Sequence, residues 1–569
     1  MKLSRLQVTN FRNLEAVDIP LTGGAVIVGE NRSGKSNLLH ALRLVLDPSL
    51  SSIQRTLTSE DFSESLGRDP MGAGRTIEVS IQIEDFDDDE GLVAALAGAL
   101  VSGDPIRARL TYRFAPRDDR EDIEVPAYEW SIFGGNDPGR TIGNDLRRYL
   151  HHAHMPALRD AEGDIASWRR SPLRPLLEEV ARRTSEPDLL LITSALEEAN
   201  QAVRSLKSVA DAADAIERQT ASLVGELHRL EPTLDLSPAE PVRTLRSLRL
   251  FLDGTAQRSL SAASLGSLNV LYIALLQLEL ARLLAKGEIE HALISIEEPE
   301  AHLHPHLQRR VFAGLLADAD HKRSTVVSTH SPHIVSVTPP RRLVVLRDKG
   351  GTTSAFAAST ADLPTKTWDD LARYLDATRS ELVFARRVIL VEGFAEQVLL
   401  PRIAMPDHEF DEHGVTVCPI YGTHFLSYVR FVRAVGTPYA VITDGDPNAG
   451  TGRTGADRVA RLADAIDDTA VGPEQIGLFH GETTFEADLF EASHANQAPM
   501  FEALLTFDSS ESTRSDIEAL RDSGAATGSQ ILELILRVGK GPFAQRLAGL
   551  DADLDPPAYV ARALAHVVL

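Results

Sequence analysis

Eight residues near the amino terminus, Gly29-Glu30-Asn31-Arg32-Ser33-Gly34-Lys35-Ser36, constrain this chain more than any other segment. They fit G-x-x-x-x-G-K-S, follow a short apolar run (Ala25–Val28) and precede a helical pattern (Asn37–Leu46). A loop of that kind wraps its backbone N–H groups around phosphates, and the helix N-terminus adds partial positive charge. The strand–loop–helix order predicts an α/β domain that binds a nucleoside triphosphate, with Gly29, Asn31 and Gly34 in the cradle. Lys35 is expected to reach the β and γ phosphates, and the Ser36 hydroxyl to hold Mg²⁺.

Late residues supply what such a site still needs. Ala292–Ile296 reads as a buried strand ending in Glu297-Glu298. Glu297 is expected to touch the metal, and Glu298 to orient or deprotonate the attacking water. The next strand, Ser324–Ser328, runs into Thr329-His330-Ser331-Pro332 and places His330 where a γ-phosphate can be sensed. The plain alternative for His330 is a hydrogen-bonded loop histidine.

A second set of acidic residues follows. Arg387–Val391 is a strand pattern running into Glu392-Gly-Phe-Ala-Glu396, and Tyr439–Thr443 is another, ending in Asp444-Gly-Asp446. The i, i+4 spacing brings Glu392 and Glu396 to one side. In a parallel sheet both clusters emerge at the carboxyl edge, where open α/β folds bind ligands. Four carboxylates together repel one another unless cations join them. Hard oxygen ligands point to Mg²⁺ or Mn²⁺, and two such ions suit phosphodiester cleavage.

Composition limits the rivals. A net charge of −24 argues against a protein that simply coats nucleic acid, though metal ions would reverse the field locally. One cysteine, Cys418, excludes a disulfide framework and a multi-cysteine zinc module, in keeping with a reducing cytoplasm. No amino-terminal stretch reads as a signal peptide. The longest apolar stretch, Leu265–Ala285, carries Asn269, Gln277, Glu279 and Arg282, so a buried helix is expected and not a membrane span. Only eight of the 58 basic residues are lysines, which singles out Lys35 and Lys540.

With 569 residues, two or three domains are expected. Strand patterns dominate residues 1–166. Sparse Pro and Gly and heptad-like spacing (Leu176, Val180; Leu223, Leu227, Leu230) mark a helical insertion at 167–250, either a solvated arm or a dimerisation element. Strands resume over 251–375, with Lys349–Thr367 as the expected linker, and a second α/β unit occupies 383–569.

Ile296-Glu-Glu-Pro-Glu-Ala-His-Leu-His-Pro305 together with Ser328-Thr-His-Ser-Pro332 resembles the ABC-type ATPase of OLD (overcoming lysogenization defect) nucleases, the group that includes Gabija-type nucleases. These ATPases are related to RecF and SMC heads. Glu392 with Asp444-x-Asp446 resembles a TOPRIM domain, and the Glu392-x-x-x-Glu396 form is again similar to OLD nucleases. The resemblance implies an ATPase head with a helical insertion, followed by a TOPRIM domain. It implies a nucleotide sandwiched between two heads of a homodimer or higher homo-oligomer. Ser264-Leu-Gly266-Ser267, which departs from LSGGQ, would be the signature segment, and Arg12 matches a common position in these heads. Gln54 and Gln82 both remain open as the glutamine loop.

The resemblance further implies a late metal ligand, matched by Glu486 in Thr484-Phe-Glu-Ala-Asp-Leu489, with Glu482 a weaker match. It also implies a lysine that stabilises charge on the scissile phosphate, matched by Lys540 in Lys-Gly-Pro-Phe-Ala544. Gly422-Thr423 would approach the DNA backbone. DNA is then the partner, a helicase-like defence protein is a further one, and anti-phage defence is the setting. The i, i+2, i+4 spacing of His302, His304 and His306 across Pro305 puts no three on one helical face, and the resemblance implies that they lie in the loop through which paired heads communicate rather than in a metal site. The rival reading is a non-cutting ATP-dependent DNA sensor or scaffold. A topoisomerase would need a tyrosine-bearing DNA-binding domain that no segment supplies, and a bacterial primase a cysteine-rich module.

Overall fold

Alternation along β4 (Ile77–Glu84) buries Ile77, Val79, Ile81 and Ile83 and turns the residues between them outward, as a half-buried strand requires. The computed structural model describes every residue except 102, 118–126, 144–145, 147–148, 158–159, 168–170, 225–232, 236–239, 247, 253–258, 318–321, 376–378, 404–409, 449–452, 467–470, 509 and 569. Two compact units emerge: residues 1–157, 290–300 and 304–569 form one, and 158–289 with 301–303 form the other.

Among the described residues the first unit holds three sheets. β4 belongs to a mainly antiparallel one in the order β2-β1-β4-β6-β5, with β7 on β6. Its other strands are β1 (Lys2–Phe11), β2 (Leu14–Pro20), β5 (Leu100–Val101), β6 (Arg107–Pro116) and β7 (Tyr128–Gly134). The second sheet runs β12-β11-β3-β10-β9-β8. It contains β3 (Ala25–Gly29), β8 (Leu150–Met155), β9 (His291–Glu297), β10 (Arg323–Ser328), β11 (Leu343–Lys349) and β12 (Thr352–Ala357). Only β12 is antiparallel to its neighbour. The helix Lys35–Leu46 contributes Leu38, Leu39, Leu42 and Val45 to a core shared with Val8, Phe11 and Ile81 of the first sheet and Ile27 and Val326 of the second.

The third sheet is parallel throughout, in the order β14-β13-β15-β16. It consists of β13 (Arg387–Val391), β14 (Val415–Pro419), β15 (Tyr439–Thr443) and β16 (Leu478–His480). Continuous apolar runs such as Val388-Ile389-Leu390-Val391 are fully buried, as expected for strands covered on both faces. Helices 394–403, 485–492, 494–505, 528–538 and 540–548 pack Leu399, Leu400, Leu489, Phe490, Phe501, Ile535 and Phe543 into one core with Ile389 and Ile442.

One expectation about organisation changes. Lys349–Thr367 is not a linker: β11 and β12 form a hairpin around Gly350-Gly351, and the rest leads into the helix Thr365–Tyr374. A glycine pair of the kind that marks linkers here makes the turn of a sheet edge, with both residues at positive φ. The two α/β parts fall within one compact unit. The Arg347 guanidinium donates to Ala385 O and to Thr437 Oγ1 across the expected boundary.

The second unit is helical and wider than 167–250. Ile165, Leu260, Leu268 and Leu275 form its small core, so the long helix Leu265–Ala285 belongs to it. Only 28% of that helix's most apolar window is buried, less than expected for a core helix. Its polar residues are used locally: Arg282 pairs with Glu279 at 2.8 Å, and Asn269 donates to Ala301 O at 3.2 Å. Leu176 packs partly against the core and Val180 is exposed, while Leu227 and Leu230 lie outside the described residues.

Candidate nucleotide and metal sites

Because β3, β9 and β10 are parallel neighbours, the segments leaving them share one edge. Ser328 pairs with both Ile27 and Glu297. That brings the phosphate loop, Glu297-Glu298 and Thr329-His330 together. Lys35 is buried and folds back over the loop, donating to Gly29 O at 2.9 Å and Glu30 O at 2.8 Å. Burial lowers the Lys35 pKa, with Glu298, Glu300 and Glu30 opposing. Ser36 hydrogen-bonds Glu297, the expected pair of metal-facing oxygens, and burial raises the Glu297 carboxyl above its ordinary range.

Glu298 stands at φ 41°, a left-handed conformation costly for a residue with a Cβ. Its N–H donates to Ser328 O at 2.9 Å, and its carboxylate lies 3.7 Å from His330 Nε2. The His330 N–H donates to Glu300 Oε1 at 2.6 Å; burial and then the Lys35 charge lower the ring's pKa. Arg12 pairs with Asp61 and donates to Asn37 Oδ1 at 2.9 Å. Asn37 donates on to Asn13, and Asn13 to Arg32 O, so Arg12 braces the loop and its helix from outside. Asn31 is exposed at the loop's tip. Gln54 accepts from the Ser51 N–H and so caps its own short helix, and Gln82 lies within β4.

In the helical unit Ser264 caps the helix Leu265–Ala285, accepting from Ser267 N at 3.2 Å. A Cβ on Gly266 would stand 2.4 Å from His302 O, so this position admits only glycine without a shift. In the larger unit, His304 caps the helix Pro305–Leu315, and Arg309 donates to His306 Nδ1 at 2.8 Å. A guanidinium on that nitrogen leaves it unsuited to a metal.

At the third sheet, Val391 pairs with Ile442 in register, which sets Glu392 and Asp444 side by side at the carboxyl edge. Glu392 Oε1 accepts from the Asp444 N–H at 3.0 Å and from the Thr443 hydroxyl. Asp444 Oδ1 accepts from Phe485 N at 2.9 Å. Glu396, in the first turn of the helix Phe394–Ile403, is only 6% exposed, and Glu486, in the first turn of Phe485–Ala492, 1%. Lys540 opens the helix Lys540–Ala548 and lies 2.8 Å from Glu486 Oε2.

Burial pushes Glu396 up to about 7, with Glu486 and Glu392 adding to it. Burial and then the Glu396 charge push Asp444 up to about 8. Burial opposes the Lys540 charge, but Glu486, Asp444 and Glu396 together outweigh it and raise its pKa. Buried, mutually repelling oxygen donors of this kind suit a hard divalent cation.

The expected cluster is only partly assembled. Among the described residues no three His, Cys, Asp or Glu side chains already have metal-binding spacing. Arg458, on which no sequence motif falls, stands between Glu392 and Asp446. Asp446, at φ 43°, accepts from its Nη1 at 2.9 Å, and Glu392 Oε1 from its Nη2 at 3.3 Å. The available signal was Thr454-Gly-Ala-Asp457, a capping box that starts a helix just after the Asp-x-Asp loop and aims its first turns at the strand tips.

Glu482 is exposed, and its N–H is held by Asp488, which also receives the Thr483 N–H. Asp488 therefore shapes the loop beneath Asp444, where a Cβ on Gly445 would meet the Glu482 carbonyl carbon at 2.4 Å. Gly422 donates to Glu392 O at 3.1 Å, so Gly422-Thr423 does adjoin the site.

A phosphate-loop sheet whose neighbouring strands end in Glu297-Glu298 and His330 is an ABC-type ATPase core, and a parallel sheet ending in Glu392 and Asp444-x-Asp446 is a TOPRIM domain. The chain belongs to a family of AAA-type ATPases and carries an OLD-like TOPRIM domain behind that ATPase. The family described as "Overcoming lysogenization defect protein-like, TOPRIM domain" matches residues 383–446, and "AAA domain, putative AbiEii toxin, Type IV TA system" matches 25–336. An OLD nuclease of Thermus scotoductus is 26% identical over 78% of this chain and 82% of its own length. Endonuclease GajA of Bacillus cereus is 24% identical over 80% and 77%. Among solved structures, the C-terminal region of the Burkholderia pseudomallei OLD protein is 32% identical over 32% of this chain and 97% of that one, with a TM-score of 0.29.

Proposed function

We propose that this chain is an ATP-binding, divalent-metal-dependent DNA endonuclease that nicks or cleaves DNA in the cytoplasm as part of defence against phage. The observation that carries the reading is the pair of buried, charge-starved carboxylates, Glu396 and Asp444, beside the ammonium of Lys540. A scaffold gains nothing from burying them. The names borne by the relatives support the same reading.

Glu392, Glu396, Asp444, Asp446 and Glu486 would hold two Mg²⁺ or Mn²⁺ ions. Such ions lower the pKa of bound water and stabilise a leaving oxygen. Lys540 stabilises negative charge on the scissile phosphate as a compact point charge. At the other site Lys35 turns from the loop carbonyls to the phosphates of ATP. Ser36 and Glu297 hold the nucleotide's Mg²⁺, Glu298 orients water, and His330 senses the γ-phosphate. Two chains pair so that the segment opening at Ser264 and Gly266 of one completes the nucleotide site of the other. A helicase-like protein is the further partner.

The test is plasmid cleavage by wild type and Asp444→Ala with Mg²⁺ or Mn²⁺, with ATP, a non-hydrolysable analogue or neither. Wild type should nick or linearise and the variant should not. Equal cleavage by the two removes the acidic site from the mechanism. No cleavage under any condition favours a DNA sensor that does not cut.

A further inference from the structure

Arg458 uses its whole guanidinium inside the acidic site. Nε donates to Thr443 Oγ1 at 3.0 Å; Nη1 to Asp446 Oδ2 at 2.9 Å and Arg453 O at 3.0 Å; Nη2 to Glu392 Oε1 at 3.3 Å and to Asp444 O. The side chain is only 13% exposed. An arginine does not lose its proton in a protein, so this is a permanent charge. Its placement divides the five acidic residues. Glu392 and Asp446 share Arg458, and Glu486 has Lys540. Among the described residues Glu396 and Asp444 have no ion-pair partner within 4 Å; Asp444 Oδ1 receives only the Phe485 N–H.

The far side of Arg458 faces a cleft of about 340 Å³ lined also by Thr423, His424, Thr443 and Arg461. A guanidinium leaving the carboxylates has room there. The cleft's lining offers the guanidinium groups of Arg458 and Arg461 and the hydroxyls of Thr423 and Thr443 to an anion, and no carboxylate.

We propose that Arg458 is a resident cation standing in one of the two divalent positions of the site. The free chain then takes one divalent ion, at Glu396 and Asp444. A second enters at Glu392 and Asp446 only when an anionic ligand in the cleft, a phosphodiester, draws Arg458 away. This ordering rests on the nuclease reading for the identity of the anion, but the one-ion state of the free chain does not. The arginine thereby acts as a positioning residue that keeps the two-ion arrangement from forming before nucleic acid arrives.

Mn²⁺ alone, titrated into the nucleotide-free full-length chain and counted by calorimetry and electron paramagnetic resonance, tests it. Arg458→Gln should bind one more Mn²⁺ per chain than wild type, or bind its weakest ion at least tenfold more tightly. Any ion at the nucleotide site is common to both and cancels. Arg458→Lys, which keeps a charge, should retain the wild-type count. Should Arg458→Gln fold poorly, Asp446→Asn gives a second reading: it should leave the first ion's affinity within twofold, whereas Asp444→Asn weakens it at least tenfold. Identical isotherms for wild type and Arg458→Gln, or loss of the first ion in Asp446→Asn, overturn the proposal. These counts are made without DNA cleavage, so a chain that never cuts can still confirm the resident cation. A cutting chain with unchanged counts refutes it alone.

Discussion

The carboxylate of Glu30, in the phosphate loop, is gripped from two sides by Arg386, the residue just before β13: Nε to Oε1 at 2.5 Å and Nη2 to Oε2 at 2.6 Å. β13 runs five residues from there to Glu392. The hydrogen bonds from Arg386 hold the Glu30 carboxyl below its ordinary range. An ATP-binding loop and a strand that carries a candidate metal ligand are thus tied by a forked pair. Both partners are more than a third exposed, so the pair contributes only ~0–1 kcal/mol to stability. Glu30→Gln or Arg386→Gln should therefore leave the melting temperature nearly unchanged and flatten the response of DNA cleavage to ATP. A response equal to wild type would show the link to be idle.

Lys540→Ala should lower cleavage on the order of 10²-fold or more, as loss of a charge-stabilising donor does. It also strands the buried Glu486, costing ~1–3 kcal/mol, less than for a fully buried pair because the lysine is 37% exposed. Denaturant unfolding would measure the second effect separately from the first.

Cation binding at the acidic site should release protons at pH 7. Asp444, up at about 8, is then largely protonated and Glu396, at about 7, half so, and both must ionise to serve as ligands. Calorimetry in buffers of differing ionisation enthalpy should show roughly one proton or more leaving per chain. With the folded pKa values above the unfolded ones, these two carboxyls contribute stability to the metal-free protein that is lost as pH rises from about 4 to 8, and above about 6.5 no histidine contribution opposes that loss.

Three buried histidines contribute with the opposite sign. Burial lowers His40 to about 4, His152 to about 3 and His154 to about 4. His152 and His154 both hydrogen-bond Ser295 Oγ, at 2.7 and 2.9 Å. The unfolded chain takes up these protons near pH 6.5 while the folded one does not, so the histidines' contribution to stability should fall below about 6.5 and go on falling to about 3, and below about 4, where the two carboxyls no longer offset it, the loss is uncompensated. Each unit of separation contributes ~1.4 kcal/mol. Replacing His152 with Gln should move the onset of acid unfolding to lower pH.

Gly266→Ala should destabilise the helical unit by ~1–3 kcal/mol, since its new Cβ meets His302 O at 2.4 Å. Gly266→Ala should also reduce ATP turnover, because His302 and Leu303 must shift. Hydrogen exchange along Leu265–Ala285 would locate the loosening.

Much of both sites was legible because their chemistry demands rare combinations. Glycines at fixed intervals before a lysine, and glutamates or aspartates directly after an apolar strand, seldom occur together except where a chain holds phosphates or metal ions. Parallel pairing then assembles them. Arg458 escaped because arginine is common here: a residue type that makes up nearly all the basic charge offers no contrast in sequence. The Glu30–Arg386 pair spans 356 residues and depends on a packing that no local pattern records. Lys349–Thr367 reads as a linker because the glycine pair of a hairpin and that of a linker look alike until β12 is seen on β11.

β3 has β10 on one side and β11 on the other, and both lie some 300 residues further along the chain. During synthesis the strand that ends in the phosphate loop must wait, unpaired within its own sheet, until more than half the polypeptide has left the ribosome. A fragment released early would lack the two flanking strands and could not grip a nucleotide.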